Sequence, residues 1–167
     1  VYQKGLMSGF DETTFGPDEL LTRGQFASIL YRVHGAPEIS YSPIFQDVPD
    51  GQWFTKAVLW ANSVGVAAGY ESTGLFGTND NISREQLVVM MYRYAQYRGY
   101  DTSKAADLDK YQDMSSVSGY AVEAMKWATA NGIISGKGDG SILDPQGNAS
   151  RAECATIIVQ FVEKYGM

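Results

Sequence analysis

The sequence predicts an all-α fold of three helix-loop-helix repeats packed around a pseudo-threefold axis, with the first repeat lacking its front helix. Three observations lead there. A glycine pair recurs as Gly5-Leu6-Met7-Ser8-Gly9, Gly65-Val66-Ala67-Ala68-Gly69 and Gly132-Ile133-Ile134-Ser135-Gly136, at spacings of 60 and 67 residues, and self-similarity at such a period marks a repeat architecture. A tetrad follows each pair: Thr22-Arg23-Gly24-Gln25, Ser83-Arg84-Glu85-Gln86 and Ser150-Arg151-Ala152-Glu153, offset by 61 and 67. Apolar residues then recur with a helical period in one register.

In chain order, each full repeat opens on Phe45-Gln46-Asp47-Val48 or its match Tyr111-Gln112-Asp113-Met114. The front helix is expected from Trp53, Ala57, Trp60, Ala61 and Val64, and again from Tyr120, Ala124, Trp127 and Ala128. Each runs up to the first glycine of its pair, so Gly65 and Gly132 are natural left-handed residues just past a helix end. Turn chemistry such as Tyr70-Glu71-Ser72-Thr73-Gly74 and Lys137-Gly138-Asp139-Gly140-Ser141 follows, too discontinuous for a sheet. The tetrads read as capping boxes that start the rear helices. Their buried stripes are Phe26, Ile29, Leu30, Val33; Leu87, Met90, Met91, Tyr94; and Cys154, Ile157, Ile158, Phe161. Linkers from Gly35 to Pro43 and from Gly99 to Lys110 separate the units.

One helix pair cannot bury its own stripe, so the copies are expected to pack on one another as one domain over 1–167. The rear half of repeat 1 spans 1–35, repeat 2 spans 45–98 and repeat 3 spans 111–167. Val1 aligns with Ala61, so about 16 residues of the first copy's front half have no counterpart. A cut precursor, or a second polypeptide supplying that helix, is the expectation.

Composition narrows the partners. With 13 Lys and Arg against 19 Asp and Glu the formal charge is −6, and without a basic block the chain lacks the footprint of nucleic-acid binding. No apolar run approaches the roughly 20 residues of a membrane span, and no basic amphipathic stretch points to a bilayer surface. Cys154 has no disulfide partner and shares its register with Phe26 and Leu87, so it should be a buried, inert thiol. His34 stands alone, which excludes multi-His zinc sites and argues against a Ser-His-Asp triad, and it is expected at a helix C-terminus. Asn79-Asp80-Asn81 and Asp139-Gly140-Ser141 carry too few carboxylates for a calcium loop. Gly132 to Lys137 misses the phosphate-loop spacing. No metal, cofactor or catalysis is expected.

The order F-x-D-V, W, G-V-x-x-G, F, S-R-E-Q resembles the S-layer homology (SLH) repeat of bacterial cell-surface proteins, over nearly the whole chain. The resemblance implies a three-pronged, all-helical SLH domain that works outside the cell, at the bacterial cell wall or S-layer. There it would anchor a surface protein non-covalently to secondary cell-wall polysaccharide, commonly through a pyruvylated amino sugar. Gly24 departs from the family's usual Ala, Ser83 and Ser150 from its Thr, Tyr120 from its Trp and Met114 from its Val.

Arg23, Arg84 and Arg151 are the leading candidates for ligand binding, because a cation in the first turn opposes the helix dipole and helix energetics alone do not explain it. Two readings stand open. Each guanidinium either bonds loop carbonyls or a carboxylate such as Asp47 or Asp113, or uses its planar fork beside helix N–H groups to grip a sugar carboxylate. Trp53 and Tyr120 would stack on a pyranose or lie in the core, where Trp60 and Trp127 belong. Gly9, Gly69 and Gly136 would let backbone approach a ligand or adopt positive φ. Asp47, Asp113 and these three glycines complete the candidate site. The alternative function is a protein–protein assembly module of a surface layer that binds no sugar.

Overall fold

The computed structural model describes Gly5, Met7 and residues 15–167; Gly9 and most of its loop lie outside them. The described residues form α1 (Arg23–Val33), α2 (Thr55–Ser63), α3 (Arg84–Tyr97), α4 (Val122–Ala130) and α5 (Arg151–Tyr165), with no strand beyond isolated bridges. The all-α class is as expected.

All three tetrads are capping boxes. The hydroxyl of Thr22, Ser83 or Ser150 accepts the N–H three residues on, while Gln25, Gln86 or Glu153 accepts the cap residue's own N–H. The front helices α2 and α4 end as the glycines demand. Gly65 (φ +73°) donates to the Asn62 carbonyl and Val66 to Ala61; Gly132 (φ +67°) donates to Thr129 and Ile133 to Ala128. This paired closure satisfies carbonyls that the last turn leaves open.

The front helices start later than their periodicity suggests. Trp53 precedes α2 and Tyr120 lies in a 3₁₀ turn before α4. Pro49 and Gly51 (φ +79°) turn the chain, and Thr55 fixes where the helix begins: its hydroxyl donates to the Pro49 carbonyl and accepts from the Gln52 N–H.

What ties the repeats together is a closed ring of backbone hydrogen bonds. Leu21 N–H donates to the Ala149 carbonyl, Ala149 N–H to Ile82 and Ile82 N–H to Leu21, each at 2.9 Å. These residues immediately precede the three caps, and all are fully buried. A second set runs in cyclic order. The first two amides of α1 donate to Asp80 and Thr78 in repeat 2, those of α3 to Gly147 and Pro145 in repeat 3, and those of α5 to Glu19 and Pro17 in repeat 1. Each rear helix therefore starts against the next repeat's loop.

An aromatic chain runs through the centre. Trp60 meets Tyr31, His34 and Tyr94; Tyr94 meets Phe161; Phe161 meets Trp127, which meets Tyr92. Trp60 and Trp127 are buried core residues, as expected. His34 caps the C-terminus of α1, also as expected. Cys154 is buried, and that burial pushes its thiol up to about 12, where it stays protonated and inert at neutral pH.

The departure at Gly24 has a steric cause. A Cβ there would sit 2.6 Å from the Thr78 methyl. The other two copies, Glu85 and Ala152, face Pro145 and Pro17 instead. Gly24→Ala is expected to destabilise the protein, although Ala in a helix normally gains about 0.5–1 kcal/mol over Gly. Thr78→Ser in the same chain should restore much of the loss. Urea denaturation of the two single variants and the double variant measures this coupling.

Candidate functional site

The recurring arginines are buried, with Arg23, Arg84 and Arg151 at 6%, 5% and 7% exposure. Arg23 donates from Nε to the Phe76 carbonyl and from Nη2 to Ala68, both 3.0 Å. Arg84 repeats this on Leu143 (2.9 Å) and Ser135 (3.3 Å), and Arg151 Nε donates to Phe15 at 2.9 Å. Of the sequence alternatives, the geometry shows fastening of helix to loop, through carbonyls and not through Asp47 or Asp113. The helix amides beside each arginine are spent as well, the first two on the neighbouring loop and the third on the cap hydroxyl. The dipole penalty is offset elsewhere. The Arg23 guanidinium lies 4.8 Å from the Tyr70 ring centre and 5.0 Å from that of Phe76, and Arg151 lies 4.8 Å from Phe15.

The aspartates hold the same loops from the other side. Asp47 accepts the amides of Phe76, Gly77 and Thr78, and Asp113 accepts those of Leu143 and Asp144. Partial burial works to raise the Asp47 pKa, but the backbone amides of Phe76, Thr78 and Gly77 outweigh it and hold the carboxyl below its usual 3.8. Gly69 and Gly136 are needed for close approach and not for positive φ. A Cβ at Gly69 would fall 2.4 Å from the Phe45 ring, and one at Gly136 would fall 2.2 Å from the Gly140 carbonyl oxygen.

Trp53 and Tyr120 are exposed, at 61% and 58%, so both leave the core. Tyr120 walls a groove of about 340 Å³ that also takes in Arg23, Gly69, Tyr70, Gln86 and Arg93. Gln86 and Arg93 are additions from α3. A larger cleft of about 670 Å³ lies under Ala105–Asp109 against Met114 and Val122, but none of the recurring cap, arginine or glycine positions reaches it. Of the candidates read from the sequence, the groove brings together Arg23, Gly69 and Tyr120, which makes it the candidate site, while Arg84, Arg151, Trp53, Asp47, Asp113 and Gly136 do not line it.

Its wall is built by a residue that the tetrad pattern conceals. Glu85, 1% exposed, accepts from the Ser118 N–H and hydroxyl, the Tyr120 hydroxyl and the Gln146 amide. This carboxylate in the first turn of α3 suits the helix dipole and clamps repeat 3 onto repeat 2. The only signal in the sequence was an acidic residue where the other copies carry Gly24 and Ala152.

The corresponding place in repeat 3 is filled. Lys137, at the register of Tyr70, bridges Asp144 (2.6 Å) and Glu153 (3.0 Å), and Glu153 lies 3.8 Å from Arg84. Asp144 holds φ +52° where the equivalent residues Gly16 and Gly77 are left-handed glycines. Desolvation works to lower the Lys137 pKa, and the hydrogen bonds from Asp144 and Glu153 raise it on balance. No helix among the described residues is long and apolar enough to cross a membrane.

The S-layer homology domain model matches residues 1–27, 44–88 and 110–155. The chain is 31% identical over 95% of its length to an endoglucanase of a Bacillus species and 28% identical over 96% to an amylopullulanase of Thermoanaerobacterium thermosulfurigenes. It is 26% identical over 99% to an S-layer protein of Bacillus anthracis. It spans 16%, 8% and 20% of these relatives.

Two outcomes follow for stability. Arg84→Met should cost about 2–4 kcal/mol in urea denaturation, because two loop carbonyls lose a charged donor, and Arg84→Lys should not rescue it, since one ammonium cannot reproduce the fork. For Asp47, a depressed folded pKa means that its contribution is complete at neutral pH and is lost as pH falls below the ordinary 3.8 and through the folded value. Melting temperature measured from pH 7 to pH 2 should therefore fall less steeply in Asp47→Asn, which starts from a lower value.

Proposed function

Because the chain belongs to the S-layer homology family, whose domains anchor and do not catalyse, we propose that it holds a surface protein on the bacterial cell wall by binding secondary cell-wall polysaccharide between repeats. Its place is extracellular, in association with the wall. The cyclic hydrogen bonding supports the pseudo-threefold arrangement, in which loops and rear helices alternate around a centre. The observation that carries the sugar-binding reading is the open groove of Arg23, Gly69, Tyr70, Gln86, Arg93 and Tyr120. It has an exposed aromatic face for a pyranose, polar groups for hydroxyls and no carboxylate in its lining. An acidic polymer gains nothing from the field of a chain of net charge −6, so attraction has to be local.

The enzyme names of some relatives fit the same picture. The chain covers a small part of each, the part that would tether a catalytic region to the wall.

Co-sedimentation with purified cell walls tests the reading. The protein should pellet with walls that retain their polysaccharide and stay in solution with walls stripped of it by hydrofluoric acid. Equal pelleting with both would overturn polysaccharide binding. Concentration-dependent oligomers in analytical ultracentrifugation, without any polymer, would favour the assembly module instead.

A further inference from the structure

We propose that Arg93, and not any of the three recurring arginines, is the cation that contacts an anionic saccharide in this groove, and that the matching place in repeat 3 is closed to such a ligand. The inference rests on the anchoring reading above for the ligand's class.

Three observations carry it. The recurring Arg23 is committed: its Nε and Nη2 edge is donated to two carbonyls and its faces lie against Tyr70 and Phe76. Arg93 lines the same groove, is partly exposed on the flank of α3, and makes no hydrogen bond or ion pair among the described residues. A guanidinium without a carboxylate partner keeps its whole planar fork for a ligand carboxylate, which it can hold through two parallel hydrogen bonds. Tyr120, tied at its hydroxyl to Glu85, presents a fixed ring near it. A pyranose face on the ring with a carboxylate turned to Arg93 uses both.

Repeat 3 lacks each part. Gln160 replaces Arg93 at that register, and its amide nitrogen, in the orientation that satisfies it, donates to Ile133 and Gly132. Glu153 replaces Gln86, and Lys137 replaces Tyr70. The Lys137, Asp144 and Glu153 clasp sets one cation against two carboxylates, so its ammonium is already spent and an entering carboxylate would meet two others of like sign.

The test uses the whole chain and two probes. One is purified wall polysaccharide, intact or with its acid-labile pyruvyl groups removed. The other is the small sugar methyl 4,6-O-(1-carboxyethylidene)-glucopyranoside, followed by NMR of the arginine Nε–H signals. Arg93→Gln should weaken binding of the intact polymer by about tenfold to a hundredfold and erase the preference for the pyruvylated form. Arg93→Lys should recover part of it, and Lys137→Ala should change nothing. The small sugar should move the Arg93 signal and leave that of Arg84 in place. If Arg93→Gln binds both polymers as the parent protein does, or Arg84 responds to the sugar and Arg93 does not, the assignment is wrong. A loss in Lys137→Ala equal to that in Arg93→Gln would overturn the closure of repeat 3. If the parent protein ignores wall polymer while the small sugar still moves Arg93, the anchoring reading fails and the Arg93 site stands. Circular dichroism checks that each variant is folded.

Discussion

The buried amides at the start of each rear helix have to be satisfied, and the helix's own repeat supplies only part of what they need. The cap hydroxyl takes the third amide; the first two point across a boundary and find loop carbonyls of the next repeat. Six such bonds and the three-membered ring at Leu21, Ile82 and Ala149 all cross from one repeat to another, joining segments more than 50 residues apart. Each adds only about 1 kcal/mol when made, but leaving a buried amide unpaired costs about 1–3 kcal/mol. The recurring arginines extend the same logic beyond the reach of the backbone, fixing carbonyls deeper in the neighbouring loop.

That commitment shapes the site. Residues that recur three times are held by the scaffold, so discrimination between the repeats falls to residues that differ. Tyr70, Gln86 and Arg93 give one repeat an open, locally positive groove, and Lys137, Glu153 and Gln160 give the next one whose only lysine is held by two carboxylates. Asp144 supports the clasp from a left-handed backbone position that costs about 1 kcal/mol for a residue with a Cβ. A net charge of −6 is compatible with binding an acidic polymer because only the few ångströms around the guanidinium matter at physiological salt.

What was legible in the sequence was local. The capping boxes, the glycine helix ends and the buried stripes of α1, α3 and α5 depend on residues three or four apart, and they stand where the pattern puts them. The partners of Arg23, Arg84 and Arg151 were not legible, because a backbone carbonyl has no side-chain signature. Trp53 and Tyr120 kept a helical period while lying outside the α-helices, since Pro49, Gly51 and the Thr55 hydroxyl delay the start of α2 and two 3₁₀ turns, the second holding Tyr120, come before α4. Glu85 was hidden because it occurs in one copy only, and Arg93, matched by Arg32 but by Gln160 in the third copy, fell outside the set that recurs three times. Gly69 and Gly136 were recognised as special, but their neighbours Phe45 and Gly140 emerged only in three dimensions.

The closed ring also fixes where damage is felt. A change in the Phe76–Asp80 loop strikes the start of α1, one in the Leu143–Gly147 loop strikes α3, and one in the Phe15–Glu19 loop strikes α5. Lesions therefore travel one repeat against the order of the chain, and the last travels from the beginning of the chain to its end. An open stack of repeats can gain or lose a member at either edge. This one has no edge at its hydrogen-bonded centre, so a fourth copy could not be inserted without first breaking the circle. Three is the count that this geometry counts to.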